Sequence, residues 1–250
     1  DKDVPIIVYT WSPEPTLKDV EVRLLPTDVE PWKDFWNPQH FAWKLWALHD
    51  AGKKAEIGTN LLYFDAGVYL ASPIDKIWNQ LETQQVFLLD DEDQTNERWC
   101  HPEFCKNLNV TESEGKEHQL WAGTCGYMVG SRYQSELFEL GLKIATVQQS
   151  TIVGDKWKPY GGPCYGHRHD QSILSLLSSR CKAPRLPMKE FYCDHSLRRA
   201  QSWGTPLYTH RGKFKAFVPF TPGIGEAFVL NLDSRPDRLQ KFKESNPTLY

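Results

Sequence analysis

Apolar and polar positions fall into short blocks along this chain, and their period changes from block to block. VPIIVYT (4–10) is an unbroken β-branched run and predicts a first strand, while EVRLLPTD (21–28) predicts a second, ended by Pro26. HFAWKLWALHDAGKK (40–54) repeats at helical spacing through Phe41, Trp43 or Lys44, Leu45 and Leu48, with Gly52 as a stop. NLLYFDAGVYL (60–70) reads as a strand delivering an aspartate, PIDKIWNQLE (73–82) as a helix start, and QQVFLL (84–89) as a strand. The polar stretch from Asp90 to His118 sustains no period and predicts a surface loop or insertion. LWAGTCGYMVG (120–130) predicts a strand with tight glycine turns, QSELFELGLKIATVQQ (134–149) an amphipathic helix, and HDQSILSLLSSR (169–180) a helix opened by polar residues. Between the last two, residues 150–168 form a loop dense in Gly, Pro and aromatics. Strands alternating with helices imply an α/β domain whose mostly parallel sheet is flanked by helices.

Composition narrows the class. The chain has 250 residues, 40% of them hydrophobic, enough for one large α/β domain or two small ones. A formal net charge of −3 argues against a nucleic-acid partner, which selects a basic face. Ten tryptophans chiefly fill core, with the remainder free to stack on sugar rings. The six cysteines form no CxxC pair or zinc-ligand set; up to three disulfides are expected, and Cys100 with Cys105, or Cys181 with Cys193, would close small loops. With the glycosylation sequon Asn109-Val110-Thr111, they favour the secretory lumen (endoplasmic reticulum or Golgi) over the cytoplasm. The opening DKDVPIIVYT carries no signal-peptide pattern, so export would need a leader upstream, and no apolar run is long enough to span a membrane.

Three segments carry chemistry. Asp65 ends an apolar strand, where open α/β sheets hold ligands, and its carboxylate suits a divalent cation shared with a diphosphate. Asp91-Glu92-Asp93 also offers acidic groups but reads as a solvated charge cluster. In GHRHDQSILSLL (166–177), His169, Asp170 and Gln171 open a helix beside the glycine-rich loop, and the helix dipole favours an ionised Asp170. LYTHRGKFK (207–215) places His210 ahead of Lys213 and Lys215.

These segments resemble the GT-A glycosyltransferases. LLYFDAGVYLASPIDKIW is similar to the metal-binding D-x-D segment of the glycogenin-like group: Asp65 matches the first acidic position, and Gly67 stands at the second. GHRHDQS resembles the H-x-D-Q-S segment of related families, which implies catalytic roles for Asp170 and Gln171 and a donor-side role for His169. HRGKFK resembles the late H-x-x-G-x-x-K pattern, which implies His210 as a second metal ligand and Lys213 and Lys215 at the diphosphate. The resemblance further implies donor contacts at Lys44 in FAWKLW and Gly123 in AGTCGYMVG.

The fold it implies is a GT-A, Rossmann-like sheet over residues 1–224. The implied activity is metal-assisted transfer, with Mn²⁺ or Mg²⁺, of a sugar from a nucleoside diphosphate sugar (a UDP-sugar) to a hydroxyl of a protein or glycan. The alternative is a carbohydrate- or nucleotide-binding accessory module that lost activity with the second acidic ligand. FVLNLDSRPDRLQKF (228–242) resembles the opening of the procollagen galactosyltransferase-like family, so 225–250 is expected to be a linker or the start of a second glycosyltransferase domain.

Overall fold

The computed structural model describes residues 5–11, 20–149, 152, 159–194, 197–209 and 228–231. The strands are β1 (Ile6–Thr10), β2 (Val20–Leu24), β3 (Asn60–Asp65), β4 (Val68–Leu70), β5 (Val86–Phe87), β6 (Leu89–Thr95), β7 (His118–Leu120), β8 (Thr124–Met128), β9 (Leu186–Pro187), β10 (Tyr192–Asp194), β11 (Leu207–Thr209) and β12 (Phe228–Asn231). The helices are α1 (Ala42–Lys54), α2 (Asp75–Gln84), α3 (Asn96–Trp99), α4 (Pro102–Asn107), α5 (Glu112–Lys116), α6 (Leu140–Val147), α7 (His169–Arg180), α8 (Met188–Phe191) and α9 (Leu197–Trp203). A π-helical stretch, Gln134–Glu139, opens the helix that continues as α6.

The fold is mixed α/β. Its main sheet has the order β2-β1-β12-β3-β8-β5. The pairs β1–β2, β1–β12 and β12–β3 are parallel, whereas β3–β8 and β5–β8 are antiparallel. The expected mostly parallel sheet is therefore a mixed one. The cause is the route of the chain: after β3 it makes an excursion through residues 66–123 and re-enters at the end of β3 that it left, so β8 runs backwards along β3. Two three-stranded sheets, β10-β11-β4 and β7-β6-β9, are built largely from that excursion and from residues 186–209. β12, read from the sequence as the opening of a following unit, lies between β1 and β3 in the main sheet.

Strand periodicity sorts the core into two layers. On β1 and β3, Ile7, Tyr9, Leu61 and Tyr63 join the layer under α1, α6 and α7, and Ile6, Val8, Leu62 and Phe64 join the opposite layer with α2. Both faces are covered, so these strands read as continuous apolar runs rather than alternating ones. β8 approaches closely: a Cβ on Gly126 would meet the Leu61 carbonyl oxygen at 2.5 Å. Most described tryptophans fill core, as in the edge-to-face contacts Trp11–Trp43 and Trp36–Trp46.

The stretch 90–118, expected as a loop, is structured. Its elements are too short to show a period, and polar contacts hold them instead. Thr111 and Glu114 form a capping box on α5, and the His101 ring accepts from the Glu103 N–H at the start of α4. Asp91 is not part of a solvated cluster: it is largely buried and paired with Arg168 at 3.1 Å. Asn109 of the sequon stays exposed, in a left-handed turn at φ 50°. The segment read as one strand over 60–70 is broken at Ala66-Gly67, where β4 departs for another sheet, and that over 120–130 begins only at Thr124. Among the described residues no helix is long and apolar enough to cross a membrane.

Candidate active site

The alternation that sorts the core also aims the site. Asp65 shares the parity of Leu61 and Tyr63, so it points to the face of the sheet covered by α1 and α7. On α1, Lys44 shares a face with Ala47, Leu48 and Ala51, one and two turns further on, and is buried with them. On α7, Asp170 sits in the first turn and is buried too. Three charged side chains from three elements thus meet beneath the end of β3.

Lys44 Nζ lies 3.2 Å from Asp65 Oδ1 and 2.9 Å from Asp170 Oδ2, and donates to the Ala122 carbonyl at 3.0 Å. The Asp170 contact is the shorter of the two ion pairs. The rings of Phe41 and Tyr63 stand 5.4 and 5.1 Å from the ammonium, close enough for cation–π attraction. Tyr63 donates its hydroxyl to Asp65 Oδ1 at 2.5 Å.

An isolated ammonium so buried would lose its proton. Burial does push Lys44 down, but Asp170 and Asp65 together outweigh it and hold the group above its ordinary range, charged. Asp170 is raised, by burial first, with Lys44 pulling the other way. The Cys125 thiol, in the same surroundings, is pushed up to about 12 by burial and stays neutral.

Access separates the two carboxylates. Asp65 keeps 37% of its side-chain surface exposed, Asp170 only 5% and Lys44 2%. The group able to meet a ligand directly is Asp65. Asp170 and Lys44 form its buried support.

Gly123 belongs to the same site: its carbonyl accepts the Asp65 N–H at 2.8 Å, and a Cβ there would sit 2.5–3.0 Å from the Trp121 indole. That indole stacks on Tyr192 with centroids 4.0 Å apart, and Tyr192 donates to Asp194 at 2.9 Å. Gly123→Ala is therefore expected to displace the indole and cost roughly 1–3 kcal/mol. Urea denaturation checks this; an unchanged midpoint would show that Trp121 moves aside freely.

Other expected site residues lie apart. Gln171 donates to Gln119 at 3.2 Å, and Gln119 donates on to Asn96, so its amide belongs to a polar chain under β7 and α3. His169, at φ 49°, contacts the Ile152 carbonyl at 2.6 Å through Nδ1 and lies against Phe41. His210, Lys213 and Lys215 lie outside the described residues. Sequence reading did not single out Tyr63, Trp121 or the Ala122 carbonyl. Tyr63 could have been found as the same-face neighbour two residues before Asp65, and Trp121 as the aromatic directly preceding Ala-Gly.

No protein-family model, curated protein or solved structure matches the chain.

Proposed function

We propose that the chain is a glycosyltransferase of the GT-A type, moving a sugar from a UDP-sugar to a hydroxyl of a protein or glycan. The observation that carries this reading is the convergence of Lys44, Asp65 and Asp170 at the carboxyl end of a central strand. Open α/β sheets bind nucleotides at that end.

Asp65 fits one ligand position of a divalent cation such as Mn²⁺ or Mg²⁺, because its protein contacts fall on Oδ1 and its side chain is partly exposed. Among the described residues no group of three His, Cys, Asp or Glu completes a metal site. The remaining ligands in this reading are His210 and the diphosphate oxygens. When bound, the cation supplies positive charge against the departing diphosphate. Lys44 fixes Asp65 in direction through their 3.2 Å ion pair, and Asp170 keeps Lys44 charged behind it. Asp170 is in this reading a positioning residue, and Asp65 meets the donor. The half-buried Trp121 indole, which covers Gly123, forms the adjoining wall on which a sugar ring can stack.

A second reading, a nucleotide- or glycan-binding module without activity, is favoured by Gly67 at the second acidic position and by the direct pairing of Asp65 with Lys44. One experiment separates them: incubation with a panel of UDP-sugars and Mn²⁺, following UDP release and thermal stabilisation together. Release above the protein-free rate supports the transferase. Stabilisation without release supports the binding module, and neither effect from any donor overturns both.

A further inference from the structure

Three thiols gather where α3 meets α4, under the start of α7. Cys100 follows α3, Cys105 lies on α4, and Cys164 lies in the loop leading to α7. The Cys164 sulfur is 3.2 Å and the Cys105 sulfur 4.0 Å from one acceptor, the Cys100 carbonyl oxygen. The Cys100 sulfur in turn accepts from Gln119 Nε2 at 3.5 Å. Cys100 and Cys105 are neighbours across this junction, and the proximity of Cys100 holds Cys105 below the ordinary thiol range against the effect of its burial. Burial pushes Cys100 up instead. Cys105 is thus the half-buried, more readily ionised member, and Cys100 the enclosed one. The other short pairing expected from spacing is not favoured: Cys181 packs with the layer under α7, and Cys193 with the separate group around Tyr208.

We propose that Cys100 and Cys105 form a thiol–disulfide exchange site, which a small-molecule disulfide such as oxidised glutathione closes into a bond between α3 and α4. Cys105, as thiolate, attacks one sulfur of the oxidant and releases one glutathione thiolate, leaving a mixed disulfide on Cys105. Cys100 then gives up its proton and attacks the Cys105 sulfur, expelling the second glutathione. Two protein thiols are oxidised and one oxidant molecule is reduced to two thiols. The junction so fixed supports the site from behind: the Trp99 carbonyl accepts the Ser172 hydroxyl at 2.8 Å and the Arg168 N–H at 3.1 Å, both at the α7 start. This inference does not rest on the transferase reading.

The test uses the full chain with oxidised glutathione, followed by alkylation of remaining thiols in denaturant and peptide mass mapping. The expected result is loss of two alkylatable thiols, a Cys100–Cys105 linked peptide, and a melting midpoint raised by roughly 5 °C over the reduced protein. Cys105→Ser, at the half-buried position, should keep all its remaining thiols and show no oxidant-dependent shift; Cys100→Ser should retain glutathione on Cys105. Six alkylatable thiols after oxidation, or a link between any other pair, would overturn the proposal.

Discussion

Replacing Lys44 by methionine will destabilise the fold by about 3–5 kcal/mol, the usual cost of removing one partner from a buried ion pair. For a chain of this size that lowers the melting midpoint by about 10 °C or more. Methionine fills much of the same volume, so the loss is electrostatic rather than a cavity. What remains is Asp170, buried and stripped of the ammonium 2.9 Å away. Asp65 suffers less, because it reaches water and keeps the Tyr63 hydroxyl.

Two consequences identify the cause. Adding Asp170→Asn to Lys44→Met should recover about half of the lost stability, since the stranded charge is gone. The deficit should also depend on pH. Burial already holds Asp170 above its ordinary range, and losing Lys44 raises it further. A group whose folded pKa is raised favours the folded state when protonated, so the deficit is smallest in acid and grows as pH rises through that raised pKa. Thermal melts of the three proteins across pH 4–8, roughly the range where carboxylates in such settings titrate, check both points. A single variant melting like wild type would show that the site tolerates an unpaired Asp170.

The second large effect is on chemistry. Asp65→Asn keeps an acceptor for Tyr63 and nearly the same volume, so the melting midpoint should move little. Turnover of the UDP-sugar should nonetheless fall by about 100-fold or more, as when one charged or hydrogen-bonding group is removed from a preorganised site. Asp170→Asn should act differently: it leaves Lys44 paired with Asp65 alone and should weaken stability as well as turnover. Steady-state UDP release by both variants, beside their melts, measures this contrast. An Asp65→Asn protein with wild-type turnover would remove Asp65 from the donor site.

Much of the architecture was legible in the residues. The unbroken runs at 4–10 and 60–65, the helical spacing at 40–54 and 169–180, and the helix at 73–82 all correspond to elements, because each buries enough apolar surface to impose its period. The stretch 90–118 was illegible for the opposite reason: its pieces are held by caps and by pairs such as Arg168–Asp91 and Arg180–Glu114, whose partners are 77 and 66 residues apart in sequence. The antiparallel β8 was likewise hidden, since strand direction depends on the end at which the chain returns.

For the candidate site, the sequence by itself determined the chemical types and their secondary-structure addresses: a carboxylate ending β3, a carboxylate opening α7, a lysine on α1 and a glycine beside β8. Only the tertiary structure decided that Lys44 is enclosed between both carboxylates, and that Asp65 is open while Asp170 is covered. It also turned Gln171 toward Gln119 and His169 toward the Ile152 carbonyl. The physical reason is that a strand's period fixes which face Asp65 takes, and a helix's period fixes which face Lys44 takes. Neither period fixes the distance between faces or their access to water, which are set by how α1 and α7 pack over the sheet.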